Sequence, residues 1–302
     1  MNNLEKLDNA CRTLGCAVKY DEPMRKHTTF RIGGNCAAFV DISTIESLQQ
    51  ILRVCQDTPI PYTVIGNGSN VLVSDQGYNG VVLHLGPAFS KIKREGNSLI
   101  CESGAVLSKI SKFALEESLS GMEPLTGIPG TAGGALYMNA GAYGSEMSHL
   151  VTSAKYMTSD GEIHTMPVSE MNLDYRHSIF QKKDWIIVEV ALQLKPGVYG
   201  EIKNNMDTFM RKRRANQPLE LPSAGSTFQR PKGSYASMLV DQCGLKGASV
   251  GDAQVSTKHA GFIVNTGKAT CHDVLELCNF VQETVLEQTG YRLELEVEVL
   301  GE

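Results

Sequence analysis

The segment 127–144, GIPGTAGGALYMNAGAYG, constrains the fold more than any other part of this 302-residue chain. It is too long and too glycine-rich to be a simple turn. Most of its residues are small, so a second body can lie directly against its backbone. That body is either another stretch of chain crossing closely or a flat, bulky ligand, and the residues alone leave both open. A second glycine loop, Gly66-Asn67-Gly68-Ser69-Asn70, comes directly after the β-prone run Tyr62–Ile65. Successive glycines let backbone N–H groups converge into an anion nest. Ser69 and Asn70 add side-chain donors, which suits a pyrophosphate. The loop is not the dinucleotide fingerprint, because the third glycine position holds Val71, and no P-loop pattern is present. Taken alone it also reads as a plain turn.

The rest of the chain supplies an α/β frame for these loops. Leu4, Leu7, Cys11 and Leu14 fall at helical spacing. Residues 36–42 read as a strand, and Ser43 stands three residues before Glu46 in a capping-box pattern that opens a helix through Ile45, Leu48, Leu52 and Cys55. This strand–helix–strand order predicts a small α/β unit. Further strands are expected at 71–73, 81–85, 98–102 and 185–194, and a helix over 107–119. A basic helix is expected over 199–216, then a polar loop over 218–231 and a helix over 235–243. Val274, Cys278, Val281 and Val285 mark an amphipathic helix that Gly290 stops. Residues 291–299 alternate: Tyr291, Leu293, Leu295, Val297 and Val299 share one face, and Glu294, Glu296 and Glu298 the other. The break Lys195-Pro196-Gly197 divides the chain into domains 1–198 and 199–302, the first split again near 75–85.

Composition narrows the function. The net charge is −5, and the densest basic run, Arg211-Lys212-Arg213-Arg214, is too short to track a nucleic acid backbone. The eight cysteines form no Cys-x-x-Cys pair and read as free thiols of a reducing compartment. No His-x-x-x-His pair supports a metal site. The opening residues lack the apolar stretch of a signal peptide, and no run of 18 apolar residues predicts a membrane span. A cytoplasmic protein acting on small molecules is expected, with no nucleic acid, no membrane insertion and no obligate protein partner.

Three further positions carry polar groups with no decisive local signal. Ser226, in PSAGSTF, is a turn serine on local grounds. Arg176, in DYRHSIF, reads as an ordinary surface or ion-paired arginine, and Glu296 is indistinguishable from Glu294 and Glu298 by alternation. Gly247-Ala248-Ser249-Val250-Gly251 matches a hydrolase nucleophile elbow, but it follows a helix end and no helix pattern follows it, so the context the elbow needs is missing.

Taken in order, TFRIGG, IGNGSNVLVSDQGYNGVV, GIPGTAGGALYMNAGAYG, DYRHSIF, PSAGSTF, AQVSTKHAGFIVN and LELEVEVLG resemble the UDP-N-acetylenolpyruvoylglucosamine reductase family across residues 28–301. The resemblance implies an α+β protein. It would comprise a two-part α/β FAD-binding domain of the vanillyl-alcohol-oxidase type and a smaller α+β substrate domain. The short interval between Arg176 and Ser226 resembles the subtype without an inserted tyrosine-bearing loop. Non-covalent FAD and NADPH as co-substrate are implied, as are roles in peptidoglycan precursor synthesis. By the resemblance, Arg176, Ser226 and Glu296 occupy catalytic positions. Ile65, Gly66, Asn67, Gly68, Ser69, Asn70, Gly127, Pro129, Gly130, Thr131, Gly133, Asn139, Gly141 and Ala142 occupy cofactor positions. Tyr175, Arg213 and Arg230 occupy substrate positions. Gln229 and Glu298 stand where relatives often carry a lysine and an arginine, which removes positive charge near an anionic substrate.

The implied substrate is an electron-rich enol ether that resists hydride, so its carboxylate must take up the developing charge. Arg176 offers a fixed fork of donors for that charge. Glu296 helps only in its neutral form, which burial beside a second carboxylate favours. Ser226 is the candidate proton donor to the carbon next to the carboxylate. Three other readings share parts of this pattern. An FAD oxidase of an alcohol or sugar would share the flavin half, and a flavin-binding protein without catalysis would not need Arg176, Ser226 and Glu296. A phosphate-binding regulator would purify colourless.

Overall fold

A computed structural model describes residues 3–58 and 60–301. The chain forms two compact units. Unit 1 comprises 1–20, 38–67 and 80–212, and unit 2 comprises 21–37, 68–79 and 213–302. This differs from the expected division at 198/199. The reason lies in unit 2, where Phe30, Ile32 and Leu72 are buried in the same core as Leu239, Leu277 and Val281. Short apolar stretches far apart in sequence close one core, and no local signal marks them as belonging to it.

Unit 1 has two hydrophobic cores. Helices α1 (Asn3–Leu14) and α2 (Ile45–Asp57) pack with strands β2 (Asn35–Asp41), β3 (Tyr62–Ile65) and β5 (Tyr78–His84) of a sheet ordered β1-β2-β5-β3, where β1 is Ala17–Pro23. Strand β3 runs parallel to β5, Ile65 opposite His84, which delivers the chain to Gly66. The capping box of α2 lies one residue later than expected: Thr44 Oγ1 accepts from Ser47 N at 3.0 Å and Ser47 Oγ accepts from Thr44 N at 3.0 Å. A serine at the third helical position serves as well as the glutamate of the usual pattern, because either side chain can accept from the capping N–H.

The second core of unit 1 lies on a five-stranded antiparallel sheet ordered β12-β11-β13-β7-β6. Its strands are β6 (Ile92–Glu95), β7 (Ser98–Glu102), β11 (Val151–Met157), β12 (Ile163–Pro167) and β13 (Ile186–Gln193). Helix α3 (Leu107–Glu116) stops before its expected end, because Ser118 turns left-handed at φ 55° and Leu119–Ser120 becomes β8, paired with β14 (Lys195–Pro196). The glycine-rich segment is not loop throughout: it contains α4 (Ala132–Tyr137) and β9 (Gly141–Ala142), which pairs with β10 (Ser145–Glu146) just beyond it.

Unit 2 is built on α6 (Ala236–Gln242) and α7 (Cys271–Thr289), with the antiparallel sheet β15 (Ser249–Val250), β16 (Ala253–Val255) and β17 (Ile263–Asn265). Helix α5 (Tyr199–Asn216) runs as expected; most of it belongs to unit 1, and unit 2 resumes at Arg213 on its last turn. The start of α7 is held by a partner distant in sequence. Asp75 Oδ1 accepts from Cys271 N at 2.8 Å and Oδ2 from His272 N at 3.0 Å, satisfying N–H groups that a helix start leaves open. Gly290 closes α7 at φ 75°. The hydrolase-like Ser249 lies on β15, which confirms that the elbow context is missing. All eight cysteines are free. Burial pushes the Cys101 and Cys278 thiols up to about 12, marking them as inert core thiols. No helix of the described residues is long and apolar enough to cross a membrane.

Candidate functional site

Within unit 2 the final segment departs from the expected single strand. Only β18 (Glu298–Leu300) is regular, pairing in parallel with β4 (Val71–Val73). Upstream of it the chain pairs antiparallel with the serine segment, through the Phe228–Leu295 bridge. Glu296 N donates to Thr227 O at 2.8 Å, and Gln229 N donates to Glu294 O at 2.9 Å. The change of partner breaks the alternation: Glu296 and Val297 are both buried, while Glu294 and Glu298 are exposed. Glu296 is only 9% exposed. Three glutamates that the sequence could not separate are therefore separated by the fold.

The same pairing brings Ser226 beside Glu296 along the backbone. Thr227, next to Ser226, is fixed at every polar group. Its N donates to Gly261 O at 2.8 Å, its O accepts from Glu296, and its Oγ1 accepts from Ile263 N at 3.0 Å. Gly261 is held in turn by His259 Nδ1, which accepts from Gly261 N at 3.1 Å. Burial holds the His259 imidazole below its ordinary range, in keeping with a neutral ring that accepts. Upstream, Thr29 Oγ1 donates to Ser223 O at 2.7 Å, and Gly225 turns left-handed at φ 80°. Ser226 itself is half-buried. Asn70, the end of the first glycine loop, joins this cluster. Its Nδ2 donates to Glu296 O at 3.0 Å, and its O accepts from Glu298 N at 3.0 Å.

Of the expected substrate residues in this unit, Arg213 is 8% exposed, an unusual depth for a guanidinium. Arg230 is exposed and stacks on Tyr235, its guanidinium carbon 4.7 Å from the ring centre. Gln229 is committed to its neighbour: Nε2 donates to Leu295 O at 3.2 Å.

Within unit 1, Asn67 Nδ2 donates to Pro129 O at 2.6 Å. A Cβ on Gly66 would stand 2.3 Å from Thr131 Oγ1, and one on Gly133 would stand 1.8 Å from Ser103 Oγ. These glycines are demanded by close packing of the chain on itself, which is the crossing the sequence left open. Thr131 caps α4 by accepting from Gly134 N at 3.4 Å. Ile65, buried, ends β3; Gly127 stands two residues before Pro129 and Gly130 directly after it, and Leu107 N donates to Gly130 O at 3.0 Å. Gly141 and Ala142 form β9. Asn139 is fully buried, with its side-chain amide engaged within the protein and its N donating to Leu136 O at 3.0 Å.

The residues fit the pyrophosphate of a dinucleotide cofactor on one observation. The N–H groups of Asn67, Gly68 and Ser69 donate to no acceptor among the described residues, and Gly68 is left-handed at φ 57°. Consecutive open donors around a left-handed glycine make an anion nest.

Arg176 sits at the tip of a tight turn of unit 1 in which Asp174 and His177 exchange both backbone hydrogen bonds at 3.1 Å. It is left-handed at φ 53°, and its guanidinium carbon lies 4.9 Å from the Tyr175 ring centre. A left-handed arginine is a strained choice that surrounding structure must hold.

Comparison with known proteins adds the family. Residues 36–167 match the family described as "FAD binding domain", and residues 217–300 match "UDP-N-acetylenolpyruvoylglucosamine reductase, C-terminal domain". The UDP-N-acetylenolpyruvoylglucosamine reductase of Geobacillus thermodenitrificans is 45% identical over 285 residues, covering 94% of this chain and 93% of that one. The enzyme of the same name from Alkaliphilus oremlandii is also 45% identical, covering 94% of each chain. The crystal structure of the reductase from Thermus caldophilus superposes with a TM-score of 0.81 at 35% identity, covering 94% of this chain and 98% of that one. The 4-ethylphenol oxidase of Gulosibacter chungangensis, at TM-score 0.52 and 15% identity over 97% of this chain and 64% of that one, shares the fold alone. The chain belongs to the UDP-N-acetylenolpyruvoylglucosamine reductase family, as an FAD-dependent oxidoreductase of peptidoglycan precursor synthesis on a vanillyl-alcohol-oxidase-type flavin fold.

Proposed function

We propose that this cytoplasmic enzyme reduces the enolpyruvyl ether of UDP-N-acetylglucosamine to UDP-N-acetylmuramate with Arg176, Ser226 and Glu296 as its acting side chains. Bound FAD, reduced by NADPH, supplies the hydride. Arg176 receives the charge that builds on the substrate carboxylate, because a guanidinium fork matches a carboxylate and stays charged. Ser226 gives its hydroxyl proton to the carbon next to that carboxylate. Glu296, as a neutral carboxyl, donates to the same developing charge. Tyr175, Arg213 and Arg230 hold the anionic substrate. The observation that carries these roles is the burial of Glu296, alone of three neighbouring glutamates, on a backbone bonded to the neighbour of Ser226 and to Asn70 of the first glycine loop.

The nest supports the FAD half. Gly68→Ala adds strain at φ 57° and places a Cβ 2.2 Å from His27 O. It is expected to weaken FAD binding by about tenfold or more, equivalent to about 1.4 kcal/mol, read by titrating apoprotein with FAD. Retention at wild-type affinity removes the loop from the cofactor site. For the reaction itself, the purified yellow protein is expected to consume UDP-N-acetylenolpyruvoylglucosamine with NADPH. Reduction of oxygen with an alcohol or sugar, and no turnover of the enolpyruvyl ether, would instead identify an oxidase.

A further inference from the structure

We infer that Gln181 and Asn139 are positioning residues that hold Arg176 in its left-handed turn; this rests on the proposed role of Arg176 above. Gln181 Nε2 donates to Arg176 O at 3.0 Å and to Tyr137 O at 3.0 Å. Both partners are carbonyl oxygens, so only the amide nitrogen can face them. One side chain thereby ties the backbone of the arginine to the end of α4. Gln181 is itself fixed from behind. It belongs to a short 3₁₀ turn, Ile179–Lys182, whose Phe180 is 1% exposed and packs edge-on against Tyr156 and Trp185, with ring centres 5.9 and 6.5 Å away.

Asn139 holds the other side of the turn. Its Nδ2 donates to Asp174 O at 2.9 Å and to Glu146 Oε1 at 3.1 Å, and its Oδ1 accepts from Ser148 N at 2.9 Å. Ser148 Oγ donates to the same Glu146 oxygen at 2.7 Å. The Asn139 amide is thus bonded at both ends, at zero exposure. Ser178 Oγ adds a bond to Tyr137 O at 2.7 Å. The carbonyls of residues 174 and 176 are therefore both anchored to the small-residue segment. This explains how an arginine stays at φ 53°, which costs roughly 1–3 kcal/mol unless surroundings enforce it. It also gives Asn139 a role other than the ligand contact expected from sequence.

The test is a set of Gln181 variants read by stopped-flow half-reactions. Gln181→Glu is isosteric but replaces the shared donor with a carboxylate facing two carbonyls. It is expected to slow flavin reoxidation by the enolpyruvyl substrate by about tenfold or more, since small misplacements of a reacting group cost up to about 100-fold. Flavin reduction by NADPH should stay at wild type. Gln181→Lys keeps donors and offers no acceptor, and should recover most of the lost rate. Gln181→Leu carries the expectation of the glutamate variant should the latter not fold. Wild-type reoxidation in Gln181→Glu or Gln181→Leu overturns the inference, as does a lysine variant no faster than the glutamate one. Arg176→Ala separates the two levels: if it reoxidises at the wild-type rate, the role of Arg176 fails; if it is slow while the Gln181 variants are fast, only the positioning role fails.

Discussion

Ser226→Ala is expected to slow reoxidation of reduced flavin by UDP-N-acetylenolpyruvoylglucosamine by about 10²–10⁴-fold, the usual loss on removing a general acid, while NADPH reduces the flavin at the wild-type rate. A serine hydroxyl is a weak acid, so it protonates only a strongly basic centre. The carbon next to the substrate carboxylate becomes such a centre only after hydride has arrived, which confines the defect to the second half-reaction. The fold makes the substitution a clean one. Ser226 is half-buried, and no hydrogen bond of the surrounding network depends on its hydroxyl: Thr227, Gly261, Ile263 and Glu296 are bonded to each other through backbone groups and the Thr227 hydroxyl. The alanine protein should therefore fold and hold FAD as the wild type does. Impaired reduction by NADPH, with normal reoxidation, would remove Ser226 from the proton-donor role. The other informative result is a variant with wild-type rates in both halves, which would leave the hydroxyl no part in the chemistry.

The sequence made regular elements legible wherever one face of a single element meets one core. Helices α1, α2 and α7 announce themselves by apolar spacing, α5 by its basic character, and Tyr62–Ile65 and Val71–Val73 by β-prone runs. Legibility failed where an element's partner changes along its length. Residues 291–299 alternate perfectly in sequence, yet they bond first to 227–229 and then to 71–73, so the face that points inward switches at Glu296. It failed also where glycine masks helix. Gly133 and Gly134 lower the local helix propensity, yet α4 forms because its N–H groups meet Ser103 O and Ala105 O, and a Thr131 cap, within unit 1. The candidate site followed the same rule. The two glycine loops were visible as backbone that must approach something closely. Arg176, Ser226 and Glu296 had no local mark, because a catalytic side chain is defined by what lies across from it. Only the resemblance singled them out; of the residues that hold Arg176 in place, it marked Asn139 for a different role and left Gln181 unmarked.

Glu296→Ala is expected to slow the same reoxidation step by about 10²–10³-fold, the usual cost of losing one electrostatic stabiliser of a transition state, whereas Glu294→Ala should leave it unchanged. The contrast follows from burial. A carboxylate in water is solvated and stabilises little, and Glu294 is exposed. Glu296 is buried, and the groups around its backbone are all spoken for: its N bonds Thr227 O and its O bonds Asn70 Nδ2. The segment therefore keeps its course when the side chain is shortened, and the loss is chemical more than structural. Glu296→Gln refines the assignment. An amide can donate to developing charge as a neutral carboxyl does, so the glutamine variant should retain more activity than the alanine one. Equal damage from Glu294→Ala and Glu296→Ala would mean that the face change at residue 296 does not select the acting carboxyl. A glutamine variant as slow as the alanine one would show that Glu296 acts as an anion, and the donor role would have to be given up.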